Sequence, residues 1–230
     1  MKAAWLVALV SLGLLTACGD AWGTNDPQAP VSTPDRATIL ANTARTNLSN
    51  SSFPWIGGVA SGRLKRWDYV NEGPIPVKFN GVALAETAAN TIEEHLGLIL
   101  FDRTSIADMP DDLVTRGIIV SEGTTADANG MVTGCGNVSK APGLTAWPSH
   151  FYDETGRIST KLYVNLSSPK CTATLEIAIH EFGHALGMGR HFRGFGIGPA
   201  IDVNFWNVLF NIYANDIGAT RESLAIQQLP

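Results

Sequence analysis

The stretch Ile179-His180-Glu181-Phe182-Gly183-His184-Ala185-Leu186-Gly187-Met188-Gly189-Arg190-His191 decides how the rest of the chain is read. His180 and His184 are four residues apart, so on a helix they lie one turn above each other on the same face. Glu181 follows the first histidine and stays close to the second across that turn. In this His-Glu-x-x-His arrangement two imidazoles bind a zinc ion and the carboxylate acts on its water. Gly187, three residues beyond His184, is where a helix can stop in a left-handed conformation that only glycine adopts cheaply. A chain that turns back there can carry His191 to the metal as a third nitrogen ligand. Three of the chain's five histidines fall within twelve residues, a concentration that a chance pentapeptide does not produce. Three protein ligands leave a fourth position open, which is the form of a catalytic zinc site.

The stretch resembles the extended signature of the metzincin zinc peptidases, and is most similar to matrixin-like bacterial members. The resemblance implies an α+β zincin domain: a small twisted mixed sheet, a long helix, the zinc-binding active-site helix and a short C-terminal subdomain. It implies a zinc-dependent endopeptidase with Glu181 catalytic, His180, His184 and His191 on Zn2+, and a peptide or protein as substrate. Two departures stand out. The third histidine of the pattern falls at Arg190, whose guanidinium stays protonated and cannot ligate, so an extra residue in Met188-Gly189-Arg190 must be absorbed to bring in His191. Asp202 is the alternative third ligand. No methionine follows Met188, so the methionine turn that underlies zinc in the family is missing. Leu209, Ile212 or another apolar residue is expected in that volume, with Tyr213 as a group that can approach the metal or substrate. Two rival functions follow: a zinc hydrolase of cell-wall peptides, and an inactive zinc-binding or structural lipoprotein of the cell envelope.

Met1-Lys2 and the apolar run from Ala3 to Leu15 read as a secretory signal peptide over 1–17, too short to span a bilayer. The run ends Leu15-Thr16-Ala17-Cys18, which resembles a bacterial lipobox, so Cys18 is the expected lipidation site and membrane anchor. That places the domain in the cell envelope, outside the cytoplasm. Residues 18–36, with Pro27, Pro30 and Pro34 among small and polar residues, read as a tether, leaving 37–230 as one catalytic domain. Cys135 and Cys171 have no Cys-x-x-Cys partner and are expected to form a disulfide tying the loop at Gly134-Cys135-Gly136 to the entry of the zinc helix. A formal charge of −5 leaves no nucleic-acid footprint.

Along the chain, 38–50 suggests a short helix, and the folded core is expected to begin near Leu64. Arg66-Trp67-Asp68-Tyr69-Val70 and Ile75-Pro76-Val77-Lys78-Phe79-Asn80 alternate as half-buried strands do. Val82, Leu84, Ala85, Ala88, Ala89, Ile92, Leu96 and Leu98 form an apolar stripe of helical period, with His95 off it as a surface residue. Ile118-Ile119-Val120 reads as a buried strand and 124–139 as a loop, in which Asp127, Asn129 and Gly130 make a solvated turn. His150 belongs to another loop. Lys161-Leu162-Tyr163-Val164-Asn165-Leu166 alternates as a strand, and the resemblance makes it the sheet edge that pairs with extended peptide. Thr172 or Thr174 caps the zinc helix; Leu175, Ala178, Ile179, Phe182 and Leu186 form its buried face, and Glu176 is placed to orient His180. Phe192-Arg193-Gly194-Phe195-Gly196-Ile197-Gly198 is a glycine-rich loop near the metal, and 205–213 a further helix.

Overall fold

The structure is a computed structural model that describes residues 33–49, 61–123, 125, 134–140, 142 and 151–229. The signal segment 1–17, Cys18 with most of the 18–36 tether, the Asp127-Asn129-Gly130 turn and His150 lie outside the described residues. Among the described residues the architecture is mixed α+β, with four α-helices and a small mixed sheet. No helix among them is long and apolar enough to cross a membrane.

The chain enters through α1 (Arg36–Thr43), capped by Asp35, whose carboxylate accepts from the Thr38 amide at 2.7 Å. A π-helical turn (Ala44–Leu48) prolongs it. Ile39, Asn47 and Leu48 are buried, so the folded body begins well before Leu64. The polar composition of 36–48, with Thr38, Asn42, Thr43, Thr46 and Asn47, hides this. Three of its five buried positions are polar, Thr43, Thr46 and Asn47, so no continuous apolar stripe marks the segment.

Next come β1 (Arg66–Trp67), β2 (Ile75–Lys78), α2 (Ala83–Leu96), β3 (Phe101–Asp102), β4 (Gly117–Glu122), β5 (Gly136–Ser139), β6 (Arg157–Ile158) and β7 (Lys161–Leu166). The main sheet has the order β3-β2-β4-β7-β5, parallel except for β5, which runs antiparallel to β7. β1 and β6 form a separate parallel pair. α2 buries Ala85, Ala88, Ala89, Ile92 and Leu96 and ends at Gly97 in the left-handed conformation. It packs against α3 (Leu175–Ala185), which also lies on β7 and β5. The short strands β8 (Phe192–Arg193) and β9 (Gly196–Ile197) follow, and then α4 (Val203–Ala214).

The expected edge strand is corrected. β7 has neighbours on both sides, β4 and β5, and its residues from Leu162 to Leu166 are buried, as central strands are. Among the described residues the edge on this side of the sheet is β5, inside the stretch read as loop. Its sequence Gly-Asn-Val-Ser has the composition of a turn, and only the ladder to β7 makes it a strand. Leu175 also departs from expectation: it is 36% exposed at the start of α3, ahead of the turn that meets the core.

Candidate metal centre

Thr174 caps α3, its hydroxyl accepting from the Ile177 amide at 3.3 Å. The helix stops at Leu186, and Gly187 follows with φ +119°. A Cβ there would lie 2.6 Å from the Lys65 carbonyl oxygen, so this sharp turn requires glycine. The Met188 amide folds back onto the Gly183 carbonyl at 2.9 Å, and the Gly189 amide reaches Thr46 O at 2.9 Å. Arg190 is left exposed, and the next residue, His191, returns to the helix. The additional residue is thus taken up by a short loop between two glycines.

The three imidazoles meet at their Nε2 atoms. His191 Nε2 is 3.1 Å from His180 Nε2 and 3.2 Å from His184 Nε2. On the other side of each helical ring, Nδ1 faces a backbone carbonyl: Ala200 O at 3.2 Å for His180 and Met188 O at 2.6 Å for His184. A carbonyl can only accept, so both Nδ1 atoms carry the proton, and the Nε2 lone pairs of the neutral rings point at the common centre. Burial, and then the repulsion that a protonated His191 would exert, pushes His180 down to about 3; burial, with the same repulsion from His180 and His191, holds His184 well below the ordinary imidazole value. His191 is exposed as a residue, yet the loss of water around its ring lowers it too. All three are therefore neutral at pH 7.

This donor set fits a metal ion. A hydrogen on His191 Nε2 can answer one of the two facing lone pairs, whereas a cation answers all three nitrogens. A tetrahedral ion held at about 2.0–2.1 Å by each nitrogen sets neighbouring nitrogens roughly 3.3 Å apart, close to the two separations from His191. All three ligand nitrogens lie within 4.8 Å of one another. The ring nitrogens of His180, His184 and His191 form the group able to hold a metal ion among the described residues.

Glu181 is buried in α3 beside His180, and burial alone pushes its carboxyl up to about 8. The edge strand β5 closes over it. A Cβ on Gly136 would stand 2.6 Å from Glu181 Cγ and 2.7 Å from Oε1, so only glycine lets the strand approach this closely. The residue before it, Cys135, is disulfide-bonded to Cys171 with Cα atoms 5.1 Å apart, as expected. The bridge fastens the start of β5 to the segment that leads into α3.

Beneath the histidines lies Phe195, fully buried, its ring 4.4 Å from that of His180, 4.9 Å from His184 and 5.3 Å from His191 between centroids. Phe205 backs it at 5.6 Å. Where Leu209, Ile212 or another apolar residue was expected, Phe195 is the apolar residue that packs against all three rings. The sequence hint was its place between two glycines in a loop already read as close to the metal. Room for both rings is made on α3 by Gly183, where a Cβ would lie 2.7 Å from Phe205 and 3.3 Å from Phe195.

The alternative groups are occupied elsewhere. Asp202 caps α4, accepting from the Asn204 amide at 2.6 Å, and stays outside the cluster. Tyr213 is buried with its hydroxyl donating to Leu186 O at 3.1 Å. Glu176 is exposed, and the Ala200 carbonyl takes the orienting role expected of it. His95 stacks on Trp206 at 3.8 Å, away from the cluster, in keeping with its reading as a surface residue.

Compared with protein-family models, with curated proteins and with solved structures, the chain has no match.

Proposed function

We propose that this chain is a zinc-dependent endopeptidase of the metzincin kind, anchored to a cell-envelope membrane through a lipid on Cys18. The observation that carries the reading is the convergence of three neutral imidazole Nε2 atoms on one point, with a buried carboxyl next to the first. Three neutral imidazoles that converge in this way suit zinc among the common divalent ions. A bound zinc supplies Lewis-acid polarisation and acidifies water at the open position. His180 and His184 are held in the ligating tautomer by the Ala200 and Met188 carbonyls, and Phe195 keeps the rings from tilting. Burial favours the neutral Glu181 carboxyl, and a cation held by the histidines beside it would favour the ionised form. In that form it accepts a proton from water and delivers it to the leaving amine. A carboxyl buried in a purely structural site would be a desolvation penalty with no return, which supports this role.

Substrate is proposed to lie along β5. That strand pairs with β7 on one side, and an extended peptide can add to the other through backbone hydrogen bonds, beside Glu181. The test is hydrolysis of an unfolded protein such as casein by the purified chain. Activity abolished by a chelator and restored by zinc supports the reading. Hydrolysis of cell-wall peptides but not casein moves the chain to the rival hydrolase, and a zinc-loaded chain inert on both is a binding or structural lipoprotein.

A further inference from the structure

Helix α4 carries asparagines at 207 and 211 and ends at the C-cap Asn215, the three spaced four residues apart, with relative exposures of 0%, 0% and 7%. Each returns an amide hydrogen to the carbonyl four residues back: Asn207 to Val203 at 2.9 Å, Asn211 to Asn207 at 2.7 Å, Asn215 to Asn211 at 2.8 Å. The other side of each amide faces the segment 225–229. Asn215 Oδ1 accepts from the Ala225 amide at 2.7 Å, Asn211 Oδ1 from Gln227 at 2.9 Å, and Asn207 Oδ1 from Leu229 at 2.8 Å. The remaining amide hydrogens of Asn211 and Asn215 go to the carbonyls of Gln227 at 2.8 Å and Ala225 at 3.1 Å. Asn211 and Asn215 therefore each pair both the N–H and the C=O of one residue, as a peptide group in a neighbouring strand would.

The register follows from geometry. Four residues of helix rise about 6.0 Å and two residues of strand about 6.6–6.8 Å, so asparagines at every fourth position meet alternate residues of an extended chain. The chain runs antiparallel to the helix, since 229, 227 and 225 face 207, 211 and 215. The side chains of Ala225 and Gln227 are exposed, so nothing in the ladder reads them. Asparagine is a poor residue for a helix interior, and three of them at buried positions leave amides unanswered unless a backbone lies opposite.

We propose that the Asn207-Asn211-Asn215 face is a backbone-reading binding site for an extended polypeptide, and that residues 225–229 are its resident ligand, able to bind without a covalent link. The occupant has a place in the fold as well. Gln228 Nε2 donates to Pro34 O at 2.8 Å, just before α1, and α4 carries the Phe205 that backs the histidine floor. The proposal assumes nothing about the metal.

The experiment places a specific protease site in the exposed turn between Glu222 and Ser223 and cuts the folded protein, so no truncated chain has to fold. The cut segment is expected to stay bound through gel filtration and to exchange with a labelled synthetic peptide of residues 223–230. Changing Ala225 and Gln227 to Glu in the peptide should alter its Kd less than about threefold, whereas N-methylation at both amides should weaken it by at least about tenfold, as losing two buried hydrogen bonds requires. N-methylation at Gln228, off the ladder, controls for the modification itself. Loss of the segment on cutting with an unchanged melting temperature overturns the proposal. So does a peptide whose binding follows its exposed side chains as strongly as its amides.

Discussion

At the residue scale, Glu181 is the group whose chemistry can be separated from its neighbours'. It sits in α3 between His180 and the core residue Phe182, with Gly136 of β5 against its carboxyl. Replacing it with Gln conserves shape and removes the base while leaving the three nitrogens in place. Glu181→Gln is predicted to retain its metal and to lose turnover by about 10²–10⁴-fold, the usual contribution of a positioned general base. Metal content and kcat measured on the same preparation check this. Full kcat in the variant would remove Glu181 from the reaction.

At the element scale, the turn after β3 gives a pH signature. The hydroxyls of Ser105 and Thr104, with the Thr104 amide at 2.8 Å, hold the Asp102 carboxyl well below its ordinary value. A depressed carboxyl contributes stability above the unfolded value near 3.8 and loses it as pH falls below that. Urea unfolding is therefore predicted to show a steeper acid loss in the wild type than in Asp102→Asn; identical slopes would show that this turn does not contribute. Elements with a strong period were legible in the sequence: the α2 stripe, α3 with its cap and Gly187, and the apolar runs of β4 and β7. Those set by partners were not. β5 becomes a strand only through β7, and Phe195 looks like any loop aromatic until the three imidazoles stand over it. The asparagines of α4 did carry a visible four-residue spacing. Their meaning appears once the extended segment lies opposite, because an isolated helix gives a buried amide no partner.

At the scale of the whole molecule, Asn47 joins parts distant in sequence. Its amide donates to Lys65 O and Gly187 O, both at 2.7 Å, and its oxygen accepts from the Lys65 amide at 2.8 Å. Lys65, fully buried, extends Nζ to the carbonyls of Asn47 at 2.8 Å, Leu48 at 3.2 Å and Arg63 at 3.0 Å, so its amino group closes the carbonyl end of the first helical segment, and burial pushes it down to about 7. The turn that brings His191 back is thereby tied to the π-helical turn that follows α1. Asn47→Ala leaves three buried backbone groups unanswered and is predicted to destabilise the chain by on the order of 3 kcal/mol in urea unfolding. A change near zero would show that water replaces the side chain. The central claim, a metal held by His180, His184 and a displaced third histidine, is tested most directly by elemental analysis of the wild type and His191→Ala beside casein hydrolysis. One zinc per chain in the wild type, weakened in the variant together with activity, is the predicted result. Undiminished zinc and activity in the variant, or a wild type that takes up no zinc on reconstitution, would contradict it.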